Sequence, residues 1–262
     1  MNIMMIGDIV GKGGRQAIKE LVPELRRKYN VSFCIANAEN VAAGAGLSVK
    51  CLQDMSEVVD VFTSGDHTWD QKGFDSEIAA FDRIIRPANF HKNQPGRGVG
   101  IFRNPLGGDV VVISLMGQVF MRDCASCPFE KIDEVLANLP KGIKNIFVDF
   151  HGEATSEKIA MGRYLDGRVT AVVGTHTHVQ TADAEVFPGG TAYISDLGMT
   201  GAAYSVLGRE VKDVIFKFTT GMPCRLNVVE KGRMRIDGVV INYDGISGRA
   251  REITNFSHYF EV

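Results

Sequence analysis

Apolar and polar positions along this chain follow two periods. Nearly continuous apolar runs cover Asn2 to Ile6, Ser32 to Ala36, Val59 to Thr63, Val110 to Leu115, Ile143 to Phe150 and Thr170 to Gly174. Runs of that length, rich in Val and Ile, are expected of strands buried on both faces. Between them the spacing becomes helical. Ile18, Leu21, Val22 and Leu25 recur at i, i+3, i+4 and i+7, with Pro23 expected to kink or split that helix. Ile132, Val135, Leu136 and Leu139 repeat the pattern up to Pro140, and Val211, Val214, Ile215 and Phe218 repeat it again. Cys224 to Val229 and Arg233 to Tyr243 then read as two strands joined by a tight turn at Lys231-Gly232. The alternation predicts an α/β layered architecture with a terminal β region rather than a simple parallel Rossmann sheet. No Pro- or Ser-rich linker or repeat divides the chain, so residues 1–262 are expected to form a single domain.

Composition narrows the classes. With 262 residues, 45% hydrophobic and 23% charged, the chain reads as an ordinary globular protein with a full core. A formal net charge of −2 implies no general attraction to nucleic acid or an anionic membrane. No apolar run reaches the roughly 18 residues that a bilayer span needs, and the start, Met1 to Ile6, lacks a basic leader. Five scattered cysteines form no disulfide framework, and Cys124-Ala125-Ser126-Cys127 has no second pair with which to build a zinc site. A reduced, cytoplasmic protein is expected.

The chemistry gathers where the strands end. Gly7-Asp8, Asn37-Ala38-Glu39-Asn40, Gly65-Asp66-His67, Asp149-Phe150-His151-Gly152 and His176-Thr177-His178 each follow an apolar run, and they hold four of the six histidines. In open α/β sheets that edge is where ligands bind. Taken singly, Asp8 reads as a turn or helix cap before a Gly11 to Gly14 loop, and a lone histidine as a core or surface residue. Five clusters at equivalent places point instead to a site, and carboxylates with imidazoles are what two hard or borderline divalent ions require. His176 and His178, two residues apart in extended chain, are expected to face one side. The Gly11-Lys12-Gly13-Gly14 stretch lacks the GK[ST] and GxGxxG patterns of phosphate loops.

The order Asp8, Glu39-Asn40, Gly65-Asp66-His67, His151, Thr175-His176-Thr177-His178 resembles calcineurin-like metallophosphoesterases, and more closely their YmdB branch. Arg86-Pro87-Ala88-Asn89, Glu153 to Lys158, Val173 to Asp183 and Asp196 to Gly201 look like the same branch, so the similarity spans nearly the whole chain. It implies a four-layer αββα sandwich and two metal ions, iron and/or manganese. It also implies phosphodiesterase activity on 2′,3′-cyclic, and by extension 3′,5′-cyclic, nucleotides or related small phosphodiesters. Carried over by position, one metal takes Asp8, Glu39, Asn40 and His178. The other takes Glu39 as a bridge with Asp66, His151 and His176, leaving His67 as the general acid while hydroxide held between the cations attacks phosphorus. Val10 stands where the wider superfamily has a histidine ligand, and Asp66 where the family has Asn. Asp66 either adds a negative charge that favours a more highly charged ion or serves as an interchangeable oxygen ligand.

Arg86 and Asn89 are candidate phosphate contacts, and Arg86 competes with a loop-stabilising reading. Trp69 reads as a pocket wall or a core residue, and Glu153 and Asp183 as residues that orient histidines. The implied partners are a small phosphodiester or cyclic nucleotide, with RNA ends and a homo-oligomer compatible and no membrane. A low-turnover metal protein that senses a nucleotide is the alternative function. An amidohydrolase is disfavoured because its His-x-His would come early.

Overall fold

The computed structural model describes residues 1–121 and 125–262, so Cys124 of the CxxC motif lies outside the described residues. The chain runs β1 (Asn2–Ile6), β2 (Asp8–Ile9), α1 (Gly11–Lys28), β3 (Phe33–Asn37), α2 (Val49–Gln53), β4 (Val61–Thr63), α3 (Phe74–Glu77) and β5 (Ile84–Ile85). It continues through β6 (Val99–Arg103), β7 (Asp109–Met116), α4 (Pro128–Asn138), β8 (Asn145–His151), α5 (Thr155–Tyr164) and β9 (Ala171–Thr175). The last part holds β10 (Glu185–Val186), β11 (Ala192–Ile194), β12 (Met199–Ala202), α6 (Val211–Thr220), β13 (Arg233–Tyr243) and β14 (Ala250–Glu261).

Two sheets form. In the first, β1, β3, β4 and β5 lie parallel, and β13 runs antiparallel beside β1. One side of β13 pairs with β14 over its whole length. The other side pairs with β1 down to Ile6↔Gly238, and β12 takes over at Thr200↔Ile236. The second sheet has the order β10-β11-β9-β8-β7-β6, parallel except at its two edges.

Side-chain alternation decides how these sheets stack. Ile3 and Met5 of β1, Phe33 and Ile35 of β3, and Val61 of β4 face Val110, Val112, Phe147, Ala171 and Val173 of the second sheet. The intervening Met4, Ile6, Cys34, Ala36 and Phe62 face outward onto Ile18, Val22 and Leu25 of α1. On the far side Val111, Ile113, Ile146 and Val148 meet Ile132 of α4 and Met161 of α5. Helix, sheet, sheet, helix: these three buried layers make the four-layer αββα sandwich. Each fully buried Val, Leu, Ile, Phe or Met contributes about 1.5–3 kcal/mol, so a one-residue slip of β1 would place both of its faces against the wrong layer.

Local chemistry departs from expectation in three places. Pro23 lies inside α1 without ending it, and Gly11 to Gly14 form the first turn of that helix rather than a loop. A side chain at Gly14 would strike the Thr200 carbonyl of β12, which is why glycine sits there. Cys224 to Val229 is not a strand: Val228 makes a single bridge to Arg209 and packs where side chains at Gly11 and Gly44 would stand. The partner of β13 is β14, across a turn in which the Asp244 carboxylate accepts from the Ile246 and Ser247 N–H groups. No helix among the described residues is long and apolar enough to cross a membrane.

Candidate metal centre

The five clusters converge on one end of the sandwich. Asp8 opens β2 just beyond β1; Glu39 and Asn40 lie in the turn after β3; Asp66 and His67 begin a 3-10 turn, Asp66–Trp69, after β4. From the facing sheet, His151 is the last residue of β8, and His176 and His178 follow β9. One potential ligand atom from each of Glu39, Asp66, His151 and His176 lies within 4.8 Å of the others, and Asp8, Glu39 and His178 form a second such group. Glu39 belongs to both. In the first group His151 Nε2 is 2.9 Å from Asp66 Oδ1 and 3.2 Å from Glu39 Oε2, and His176 Nδ1 is 3.4 Å from Asp66 Oδ1. In the second, His178 Nε2 is 3.8 Å from Asp8 Oδ1 and 3.3 Å from the Asn40 amide. Rotating that amide by half a turn puts its oxygen where a cation would need it.

The two histidines after β9 do not converge by strand alternation. The strand stops at Thr175, and His176 and His178 adopt φ of 105° and 63°, a region that non-glycine residues rarely enter. Hydrogen bonds hold this turn. The His176 N–H donates to Asp8 Oδ2 (3.1 Å) and the Thr177 N–H to Asp196 Oδ2 (3.0 Å). Asp196 is in turn paired with Lys158 of α5 at 2.8 Å, both side chains buried. Beneath the site a polar seam joins the sheets. Asp149 has the same parity as Phe147, so it points toward the first sheet, where its carboxylate accepts from Asn37 Nδ2 (3.2 Å), Thr175 Oγ1 (2.7 Å) and Thr63 Oγ1. Gly65 is dictated by the same crowding, because a Cβ there would overlap the His151 ring and the Glu39 carboxylate.

Charge is arranged as a cation would require. Burial, then the nearby Asp196 carboxylate, raises the Asp8 carboxyl well above its usual range. Burial, followed by Asp66 and Asp8, does the same to Glu39. Burial also works against the Asp66 charge, but hydrogen bonds from His151 and His176 outweigh it and hold that carboxyl far below the usual range. Burial lowers His178 to about 4 and lowers His151 too, favouring neutral rings that can donate a lone pair, whereas at His176 burial is outweighed by the hydrogen bond and charge of Asp66, which raise it. Asp8 Oδ1 is buried without a hydrogen-bond partner among the described residues, beside the oxygen set of Glu39. An orphaned carboxylate oxygen, repelled carboxylates and neutral imidazoles together suit borderline divalent ions.

A cavity of about 420 Å³ opens over both groups. His67 stands at its edge, with Nδ1 2.7 Å from Asp70 Oδ2 and Nε2 4.0 Å from Asp66 Oδ2. Glu153 also lines the cavity and holds His176 Nε2 at 3.1 Å. Asp183 does not orient a histidine; it accepts from the backbone and hydroxyl of Ser195. Nor are Arg86 and Asn89 brought to this cavity. The three guanidinium nitrogens of Arg86 donate to the carbonyls of Pro95, Pro87 and Gln94, and Asn89 is consumed by Met116 and Ser126. Both are loop-holding residues, and the buried Arg-Pro turn explains the motif better than phosphate binding does. Trp69 packs on Phe74 and donates to Gln94, a core role. Residue types alone did not single out Asp70, Asp196 or Arg209; two signals were available, Asp70 lying three residues after His67 and Asp196 opening a family-like stretch.

The model of the YmdB-like protein family matches residues 4–256. The chain is 44% identical over 265 residues to a Bacillus subtilis (strain 168) protein named 2′,3′-cyclic-nucleotide 2′-phosphodiesterase, covering 99% of each. It superposes on the crystal structure of a novel phosphatase from Mycoplasma pneumoniae with a TM-score of 0.92 at 32% identity, covering 100% of this chain and 94% of that one. The calcineurin-like phosphoesterase YfkN of Bacillus subtilis shares the fold at 12% identity, with a TM-score of 0.57 over 100% of this chain and 90% of its own. Sequence and architecture together place this chain in the YmdB-like family.

Proposed function

We propose that the protein is a dinuclear metal-dependent phosphodiesterase that opens 2′,3′-cyclic nucleotides, and accepts 3′,5′-cyclic diesters in the same cavity. The observation that carries this reading is the pair of ligand groups sharing Glu39, with His67 free at the cavity edge. Asp8, Glu39, Asn40 and His178 would hold one cation, and Glu39, Asp66, His151 and His176 the other, with manganese or iron suited to this mixed oxygen and nitrogen set. Two such cations supply Lewis-acid polarisation of the phosphoryl oxygens and water activated near neutral pH.

The chain's own groups do the rest. Glu153 fixes the His176 ring, so Nδ1 stays aimed inward. Asp70 accepts from His67 Nδ1 and orients the ring, leaving Nε2 to pass a proton to the ribose oxygen that departs from phosphorus. The sheets close the floor of the site through the Asp149 seam, which keeps bulk water out from below.

The test is hydrolysis of 2′,3′-cyclic AMP by metal-stripped protein, before and after addition of Mn(II) or Fe(II), beside His67→Ala. Activity that returns with metal and drops at least a hundredfold in the variant is expected for a lost general acid. Full metal loading without turnover would overturn the reading in favour of a nucleotide-sensing protein.

A further inference from the structure

One apolar wall of the cavity has no part in the chemistry described so far, although the Leu207 backbone lies beside His178. It is formed by Val206, Leu207, Val214, Phe218 and Leu226. None of these side chains offers a hydrogen-bond donor or acceptor. Phe218 is 79% exposed, Leu207 is held at φ 51°, and of the ten residues of α6 only Val214 is buried. Such a helix contributes little to the core, and its aromatic ring stands in water at the rim of a polar site.

The wall is nevertheless built to a fixed distance. The N–H groups of Val206 and Arg209 donate to each other's carbonyls, at 2.9 and 3.0 Å. The Arg209 guanidinium reaches Leu226 O (3.1 Å) on the wall and Gly44 O (2.5 Å) in the loop that follows Glu39 and Asn40. It therefore ties the apolar wall to the metal-side loop. The cavity lining has a charged pole at Glu39 and an apolar pole at these side chains, tied together by Arg209.

We propose that Phe218 and Leu207 form the nucleobase subsite of this enzyme, stacking on the face of the base while the cyclic phosphate lies at the Glu39 pole. This rests on the phosphodiesterase reading and adds the part of the substrate that the wall recognises. A nucleotide has the required bipolar shape, and a volume of about 420 Å³ is in the range of small-ligand pockets. Because the five apolar side chains offer no hydrogen-bonding group and the Arg209 guanidinium is engaged by the Leu226 and Gly44 carbonyls, the wall reads a π-face and not a base edge. Purine and pyrimidine substrates are therefore used with similar efficiency.

The experiment uses the full chain loaded with Mn(II), with 2′,3′-cyclic AMP, 2′,3′-cyclic CMP and base-free ribose 2,3-cyclic phosphate as substrates. Phe218→Ala is expected to raise KM for both nucleotides about tenfold, the scale on which base–aromatic stacking responds to alanine substitution. Its kcat stays within about twofold, and the base-free substrate is unaffected. Phe218→Tyr restores KM, and Ile215→Ala, on the same helix but away from the cavity lining, changes nothing. Phe218 is too exposed for its loss to unfold the protein. Calorimetry with adenosine 3′-phosphate gives a readout independent of turnover, with affinity expected to fall about tenfold in Phe218→Ala. Equal KM values for wild type and Phe218→Ala with the nucleotides, or an equal loss with the base-free substrate, overturns the subsite. If wild-type protein hydrolyses none of the three, the phosphodiesterase reading fails, and adenosine 3′-phosphate binding alone then decides the subsite.

Discussion

Lys158→Met tests how the strained turn after β9 is held. Lys158 and Asp196 lie 2.8 Å apart with both side chains about 1% exposed. At an effective dielectric constant of about 20 their attraction is about 6 kcal/mol, much of which offsets the cost of taking both ions out of water. Removing one partner forfeits the attraction and leaves the other's desolvation cost, so a loss of about 3–5 kcal/mol is expected. Methionine fills the space of the lysine stem, which limits any cavity contribution. With a urea slope of about 3 kcal/mol/M, the midpoint of unfolding falls by roughly 1–1.7 M. Arg103→Met, which breaks an exposed pair with Asp109, provides the reference and costs about 0–1 kcal/mol. Asp196 also accepts from the Thr177 and Gly198 N–H groups, so the same variant binds Mn(II) more weakly. If Lys158→Met costs no more than Arg103→Met in metal-free protein, the pair does not secure the turn and the reasoning fails.

Gly65→Ala drives a methyl group into His151 and Glu39, so metal content measured by mass spectrometry should fall severalfold while far-UV circular dichroism is retained; wild-type metal content in this variant would show that the cradle yields. Asp66→Asn removes about one negative charge from the first ligand group and should shift the preference between manganese and iron or raise turnover; unchanged metal content and rate would mean that the two oxygens are interchangeable. Asp8 and Glu39 have raised carboxyl pKa values, so the metal-free protein retains protons there at pH values where an ordinary carboxylate has none. Metal binding must expel them, and affinity should weaken as pH falls. Calorimetry at several pH values above the ordinary carboxylate range, in two buffers of different ionisation enthalpy, will show this as a buffer-dependent heat, and identical heats throughout would refute it.

The sequence was most legible where burial on both faces made the pattern simple. The six apolar runs of the first two-thirds became strands, and their ends carried the clusters, because parallel strands that share a direction deliver their loops to one edge. Legibility ended where distant contacts override local pattern. Val228 alternates like a strand residue but is claimed by the space above Gly11 and Gly44, and β14 carries too many polar residues on its exposed face to read as the partner of β13. The spacing of His176 and His178 suggested that both face one point by strand alternation, whereas a turn places them in two neighbouring ligand groups, and its left-handed backbone depends on Asp8 and Asp196, which lie far off in sequence. Arg86 was legible as a phosphate-binding residue type, but its three carbonyl partners could not be seen without the loop 94–97 folded around it. The stacking face of Phe218 was read only as one position of a helical repeat.

The place of β13 in the first sheet has a consequence for how the protein is made. β1 lies between β3, its near neighbour in sequence, and β13, which leaves the ribosome more than two hundred residues later. The acidic groups Asp8, Glu39 and Asp66 are synthesised first, the imidazoles of His151, His176 and His178 much later, and the strand that completes the sheet under Asp8 later still. At roughly 5–20 residues per second, on the order of ten to thirty seconds separate Asp66 from the last residue of β13. Until His151 is made, roughly 4–17 seconds after Asp66 at that rate, the nascent chain carries the carboxylates of the site but none of its imidazoles, a set that suits magnesium or calcium better than iron. The two ligand groups are therefore complete only once His178 has been made, and the sheet beneath Asp8 only once β13 has joined it.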